Sequence, residues 1–153
     1  MLVRELMNSP TVTVGPGDPI RQAAVAMHAH GVGSVLVTVD GVPLGMVTDR
    51  DVAVRAVAPG LDPGAPVTLI MSEPVVTIPA DADLADAYRA FRRSGVRRLP
   101  VLSQERLVGL LAVDDLFLDV FQRYADLLGP VSWSALQDQP LDEGPSWAPR
   151  ARG

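Results

Sequence analysis

The chain contains two copies of one pattern, and this internal repeat constrains the fold more than any other feature of the sequence. Residues 3–57 and 67–121 align without a gap, and matched residues are 64 positions apart, as 7 and 71 are. A unit of this length is too long for a solenoid repeat and too short to form a stable domain alone. The copies should therefore pack together around a shared core. A cleft between the two halves is the expected place for a ligand. The matched pairs include Met7 and Met71, Pro10 and Pro74, Thr13 and Thr77, Gly31 and Gly95, Val37 and Val101, Gly45 and Gly109, and Asp51 and Asp115.

The composition excludes several classes of protein. With 153 residues, 48% of them hydrophobic, the chain is long and apolar enough to form a globular core. It has no run of about 20 apolar residues and no secretory-type start, so we expect a cytoplasmic protein that does not enter a membrane. The absence of cysteine rules out disulfides, thiolate metal sites and cysteine nucleophiles. A net charge of −5 argues against nucleic-acid binding, and the use of arginine for all 13 basic residues indicates a GC-rich bacterial genome.

Each copy is predicted to fold as strand, helix, strand, strand, helix, a βαββα unit of the α+β class. A glycine follows the first helix of each copy, and Asp40-Gly41 predicts a hairpin turn. Asp18 is predicted to cap the first helix of copy one, whereas Asp81 and Asp83 are both candidates in copy two.

The domain boundaries follow from the repeat and from the positions of proline and glycine. We place the first repeat at residues 3–58, a Pro/Gly linker at 59–66, and the second repeat, with a longer final helix, at 67–128. Residues 129–153 begin with Gly-Pro and contain further prolines, so we expect an irregular tail there.

Two motifs occur in both copies, and together they resemble the cystathionine-β-synthase (CBS) domain family. One motif is residues 45–51 (GMVTDRD), repeated at 109–115 (GLLAVDD), and the other is residues 7–10 (MNSP), repeated at 71–74 (MSEP). The resemblance spans residues 3–121, and no catalytic or transport domain is recognisable beside it. It implies two βαββα repeats packed as a pseudo-two-fold pair, two clefts, adenosine-type ligands and dimerisation.

The stronger candidate site is at Thr48, where a predicted strand ends and a helix begins. A helix start favours phosphate, and Asp51 offers a carboxylate to the two hydroxyls of a ribose. The resemblance implies these phosphate-binding and ribose-binding roles for Thr48 and Asp51. The alternative is that both residues only cap the helix. The resemblance also implies that Arg97 or Arg98, from the other copy, reaches phosphate across the cleft. Strand alternation predicts that only one of them does so.

The matching site of the second copy is predicted to be weaker. Asp115 is retained, but the threonine position holds Ala112, and the arginine positions hold Gly33 and Ser34. We therefore predict one strong nucleotide site and one weak or vestigial site that lacks a cation.

The resemblance also places the adenine ring near the ends of the first strands. The residues there are Thr13 and Val14 in copy one, and Thr77 and Ile78 in copy two, which we assign to the weaker site. For the two apolar side chains, burial in the core is the favoured role and base contact is secondary.

No residues form a pattern for catalysis or metal binding. A Gly-x-Ser-x-Gly nucleophile motif is missing, and His28 and His30 lack further ligands in sequence. We therefore interpret the chain as a non-enzymatic sensor of AMP, ADP or ATP, with NAD and S-adenosylmethionine ranked lower and no obligatory cofactor.

The alternative function is a ligand-free dimeric scaffold. The last helix has an apolar excess, including Phe117 and Phe121, that predicts a homodimer interface. Trp133 and Trp147 in the tail predict that residues 129–153 dock on a protein partner or on the chain itself.

Overall fold

Both repeats adopt the predicted βαββα order, and each has its own three-stranded sheet. The structure is a computed structural model that describes residues 1–137. A short 3-10 turn begins each repeat, at Val3–Glu5 and at Val67–Leu69. The elements are β1 (Thr13–Val14), α1 (Ile20–His30), β2 (Ser34–Val39), β3 (Val42–Thr48), α2 (Asp49–Asp51, continued as the π-helical segment Val52–Val57), β4 (Ile78–Pro79), α3 (Leu84–Ser94), β5 (Arg98–Ser103), β6 (Arg106–Ala112) and α4 (Val113–Gln137).

The two sheets have the same strand order and the same register. In each, the first strand pairs in parallel with the second, and the second pairs antiparallel with the third. Val37 lies opposite Gly45 in one sheet and Val101 lies opposite Gly109 in the other, and both registers shift directly after this pair. The predicted α+β class and repeat architecture are confirmed.

The hydrophobic cores exchange residues between the repeats. Val3, at the start of copy one, is fully buried in the core of the second half, where its N–H donates to the Ala82 carbonyl at 2.9 Å. Val67 and Ile70, at the start of copy two, are fully buried in the core of the first half. Neither repeat alone contains its whole core, so residues 1–116 form one compact unit.

The linker takes part in this packing and changes how α1 begins. The first two N–H groups of α1 donate to the carbonyls of Ala65 (2.8 Å) and Pro63 (2.9 Å). Since these free donors already have partners, the helix needs no side-chain cap, and its N-cap residue is Pro19. The prediction that Asp18 caps α1 is therefore wrong; its carboxylate instead accepts a hydrogen bond from Gly15 N–H at 2.7 Å.

The choice between Asp81 and Asp83 is settled in favour of Asp83. Its Oδ1 accepts a hydrogen bond from Ala85 N–H at 2.9 Å, which is the usual geometry of an N-cap. Gly31 and Gly95 end α1 and α3 in the left-handed region, with φ of 62° and 67°, where a side chain would be strained.

Two glycines of the repeat lie where the chain crosses between the halves. At Gly45, a Cβ would meet Met71 Sδ at 2.6 Å and the Ser72 carbonyl oxygen at 3.1 Å. Gly109 lies in the same way beneath Met7. The repeated Met and Gly positions are therefore partners across the halves, which explains why both motifs recur together.

The last helix differs from the sequence-based expectation. We predicted an irregular tail from residue 129, but α4 runs through Gly129 and Pro130 to Gln137. Helix-compatible apolar residues continue on both sides of Pro130, and only one backbone N–H is lost there. Residues 138–153, including Trp147, lie outside the described residues. Over the part of the chain that the structure describes, no helix is long and apolar enough to cross a membrane.

We predict that Gly45→Ala lowers the free energy of unfolding by about 1–3 kcal/mol, because the added methyl group overlaps Met71 and the backbone of Ser72. Gly17→Ala is the matched control, since nothing lies within 4 Å of its added Cβ. We expect the control to keep or slightly raise stability. Urea unfolding of both variants measures the difference, and equal stabilities would contradict the proposed crossing constraint.

Candidate functional site

Two clefts form where the segment that leads into each repeat crosses the third strand of the other repeat. Met46 and Ser72 exchange backbone hydrogen bonds of 3.1 and 2.9 Å, and Asn8 and Leu110 exchange bonds of 2.9 and 3.0 Å. Each sheet is thus extended by one bridge from the other copy, and the walls of each cleft come from both copies.

The first cleft brings Thr48 of copy one together with Arg97 and Arg98 of copy two. Thr48 ends β3, and Arg98 begins β5. The cavity between them has a volume of about 180 Å³, and the crossing segment of copy two supplies its apolar side. The lining residues are Met46, Thr48, Ser72, Pro74, Val75, Val76, Val96, Arg97, Arg98 and Pro100.

Thr48 and Asp51 form a reciprocal capping box at the start of α2. Asp51 Oδ2 accepts hydrogen bonds from Thr48 N–H and Thr48 Oγ1, both at 2.9 Å, and Asp51 N–H donates to Thr48 Oγ1 at 3.1 Å. The capping role that we gave as the alternative is therefore present in the structure. Asp51 Oδ1 is not part of this box and lies 3.5 Å from Arg55 Nε.

Arg55 is a site neighbour that the sequence analysis missed. Its Nη1 donates to the carbonyls of Ile70 (3.2 Å) and Met71 (3.4 Å) and lies 3.5 Å from Ser72 Oγ. Arg55 thereby links Asp51 to the wall of the first cleft. Its position four residues after Asp51 could have indicated an ion pair within the helix. That spacing does not indicate the contact of Arg55 with the other copy.

Both candidate arginines border the first cleft, in contrast to the expectation that only one would. Strand alternation does not apply to the pair because β5 begins at Arg98, and Arg97 precedes it. Arg97 is 74% exposed and its Nη2 lies 3.5 Å from Asp114 Oδ1. Arg98 is half-buried, and within the described residues its guanidinium forms no ion pair or hydrogen bond.

The second cleft is lined by the matching residues, but it also contains Arg98. Its volume is about 240 Å³. Arg98 Nη2 lies 3.9 Å from where a Cβ would stand on Gly33, because the long side chain extends from the start of β5 to the start of β2. The expectation that this cleft lacks a cation is therefore wrong. The lining residues are Asn8, Pro10, Thr11, Val12, Val32, Gly33, Ser34, Arg98 and Leu110.

Asp115, the counterpart of Asp51, is engaged by the crossing segment. Its Oδ2 accepts hydrogen bonds from Asn8 Nδ2 at 2.9 Å and from Ala112 N–H at 3.0 Å. In the first cleft the position of Asn8 is occupied by Ser72, which makes no such bond to Asp51. The two carboxylates are thus held by different groups: Asp115 by a side chain of the other copy, and Asp51 by Thr48 and Arg55 of its own copy.

The predicted base-contacting residues lie elsewhere. Val14 and Ile78 are 5% and 4% exposed and belong to the two cores. Thr13 lines a separate cavity of about 400 Å³, and Thr77 lines another of about 410 Å³. The cleft walls are formed by the residues that precede the first strand of each repeat, because these residues lie against the other repeat. The first strand itself pairs within the sheet of its own repeat.

Comparison with known proteins gives consistent matches along the repeats. The sequence model of the CBS domain matches residues 3–57 and 67–120. CBS domain-containing protein YhcV of Bacillus subtilis is 40% identical over 114 residues, covering 74% of this chain and 81% of the relative.

Solved structures match the fold as well. A CBS domain protein from Pyrobaculum aerophilum complexed with AMP is 29% identical, with a TM-score of 0.69 over 76% of this chain and 90% of that chain. Hypoxic Response Protein I with two coordinated zinc ions is 30% identical, with a TM-score of 0.69 over 76% and 96% of the two chains. In the part of this chain that the structure describes, no three His, Asp or Glu side chains are placed to hold a metal ion.

We predict that Thr48→Ala lowers the free energy of unfolding by about 0.5–2 kcal/mol, because it removes the hydroxyl of the capping box. Thr68→Ala is the control: Thr68 is exposed and makes no side-chain hydrogen bond within the described residues. Thermal unfolding without ligand measures both effects. A control that loses as much stability as Thr48→Ala would show that the capping box is not the cause.

Proposed function

The chain belongs to the CBS-domain family, and we propose that it is a non-enzymatic sensor that binds an adenine nucleotide in the first cleft. One observation carries the proposal: a hydroxyl, two guanidinium groups and an apolar wall from both repeats converge on one cavity. A small apolar slot with a few polar groups is typical of ligand sites.

The parts of a nucleotide match the parts of the cleft. Val75 and Val76 provide an apolar face for the adenine ring, and Arg97 and Arg98 provide donors for phosphate. We assign the ribose to Thr48 and to the Oδ1 atom of Asp51, a residue outside the cavity lining that the capping box links to Thr48. The 3.5 Å separation of Oδ1 from Arg55 is long enough to be exchanged for a hydroxyl donor. The cavity is smaller than the roughly 300–1,000 Å³ of most ligand pockets. The ring therefore fills it, and the phosphate stays at the arginine rim.

Two considerations support AMP, ADP or ATP over other adenosine compounds. The P. aerophilum relative, with the same fold, is complexed with AMP. S-adenosylmethionine has no phosphate and carries a sulfonium and an ammonium cation, so its single carboxylate matches two arginines less well than a phosphate does. NAD carries a second nucleoside that the small cavity does not hold, and we rank both below the adenine mononucleotides.

Sensing requires that the ligand bind one arrangement of the halves more tightly than another. The first cleft meets this requirement because its walls belong to different repeats. A ligand that contacts Thr48 and the arginines together favours the arrangement in which β3 and β5 are close. We propose that a partner protein or a second subunit reads this arrangement.

A scaffold function is the second candidate, and the surface of α4 favours it. Four side chains follow a spacing of four, three and four residues and are 49–74% exposed: Phe117, Phe121, Tyr124 and Leu128. This spacing forms one apolar seam along a helix, as in a coiled coil. A second copy of the chain presents the same seam, and an isologous helix pair would cover both. We therefore propose a homodimer through α4.

We predict that AMP, ADP or ATP raises the stability of the protein by about 2.7 kcal/mol at a hundredfold excess over its dissociation constant. Asp51→Ala should remove most of this shift, because the ribose loses its carboxylate acceptor. A thermal-shift screen that also includes NAD and S-adenosylmethionine makes the measurement.

Asp115→Ala is the matched variant, since both carboxylates accept a backbone hydrogen bond from the residue three positions earlier. We expect it to keep the larger part of the nucleotide shift. A larger loss with Asp115→Ala than with Asp51→Ala would reverse the order of the clefts. The absence of a shift with every nucleotide would leave the scaffold function.

We predict that the double variant Phe117→Asp/Phe121→Asp converts a dimer to a monomer, because it places charges in the apolar seam. Val25→Asp, on the exposed side of α1 (56% exposed), should leave the dimer intact. Light scattering after size-exclusion chromatography gives the mass of each. A double variant that remains dimeric would exclude α4 as the interface.

A further inference from the structure

Arg98 lies between the two clefts and borders both. Its counterpart in copy one is Ser34, which is 8% exposed and uncharged, so it cannot supply a cation to either cleft. Arg97 borders the first cleft and is directed towards Asp114. Among the described residues, Arg98 is the arginine that lines both cavities and has no protein partner. One guanidinium group is therefore available to two sites.

The second cleft has polar chemistry of its own besides Arg98. Thr11 Oγ1 is buried and makes no hydrogen bond within the described part of the chain. Thr11 lines the second cleft at the position where the first cleft has Val75. A buried hydroxyl without a partner is unfavourable, so a ligand group that reaches it gains affinity. The hydroxyl of Ser34 and the amide of Asn8 lie on the same cavity.

The single charge of Arg98 limits how many anions it can serve. Among the described residues, it is the arginine that lines the second cleft. If its guanidinium turns towards the first cleft, the second cleft is left without its cation. A phosphate there would then lack a charged hydrogen-bond donor. A ligand without phosphate would be unaffected by the position of Arg98.

We propose that Arg98 is a shared phosphate anchor, so that a nucleotide phosphate in one cleft weakens phosphate binding in the other. This inference rests on the proposed function and adds its regulation. The chain binds one AMP tightly, in the first cleft where Arg97 assists, and a second AMP weakly. An uncharged nucleoside such as adenosine enters the second cleft whether or not AMP occupies the first.

Calorimetric titration tests the coupling with AMP and adenosine as probes. In the unmodified protein we expect one tight AMP site and a second at least tenfold weaker, while adenosine binds AMP-saturated protein without loss. Asp51→Ala empties the first cleft and should strengthen AMP binding at the second cleft relative to the unmodified protein, while leaving it weaker than the first cleft of the unmodified protein. The tenfold difference corresponds to one charged hydrogen-bonding partner gained or lost.

Two test substitutions and one control variant separate a shared anchor from two independent sites. Arg98→Gln should weaken AMP at both clefts by about tenfold to 100-fold and abolish the coupling. Arg97→Gln is the control, and it should weaken only the first cleft. Ser34→Arg supplies the missing second guanidinium, and it should let two AMP molecules bind with less mutual weakening. Because it retains Arg98, it tests the proposal even if Arg98→Gln does not fold.

The possible failures are distinguishable. Two AMP molecules bound independently by the unmodified protein, or an Arg98→Gln variant that loses affinity at one cleft only, would overturn the shared anchor and leave nucleotide sensing intact. A titration with no AMP binding at either cleft would overturn both.

Discussion

The first segment of each repeat crosses the third strand of the other repeat. At both crossings a glycine of that strand lies under a methionine of the crossing segment. Gly45 has no room for a Cβ below Met71, and Gly109 has none below Met7. The backbone bonds beside these contacts continue each sheet by one bridge, and Val3 and Val67 are then buried in the opposite core. The halves consequently cannot form their complete cores separately, which fixes the position of one repeat against the other.

The same crossings determine what the clefts are made of. Since the crossing segment of one copy lies against the third strand of the other, every ligand in a cleft contacts both repeats. The small differences between the copies then decide the chemistry. Asn8 satisfies Asp115, whereas Ser72 leaves Asp51 to its capping box and to Arg55. Two clefts of equivalent backbone thus differ in which protein groups hold their carboxylates.

The repeat and the element order could be read from the sequence, because a repeat in register defines equivalent positions. The convergence of Thr48 with Arg97 and Arg98 came from the resemblance to the family. The exchange of segments could not be read from the sequence, since periodicity describes each element and not its neighbours. For that reason the sequence did not indicate that the residues preceding Thr13-Val14 and Thr77-Ile78 line the clefts. The cap at Asp18 failed for a similar reason: a distant linker supplies the acceptors that local sequence assigns to a side chain.

Arg98 shows why counting residues per cleft is insufficient in a pseudo-symmetric protein. The comparison of copies assigned both arginines to the first cleft, and by that count the second had no cation. Arg98 lines both clefts, so its charge cannot be assigned to one of them. Ser34, its counterpart, carries no charge, and in the proposed mechanism this difference makes the sites unequal and dependent on each other. An asymmetric residue that borders both clefts is thus a means by which a duplicated fold can couple two sites without a large movement.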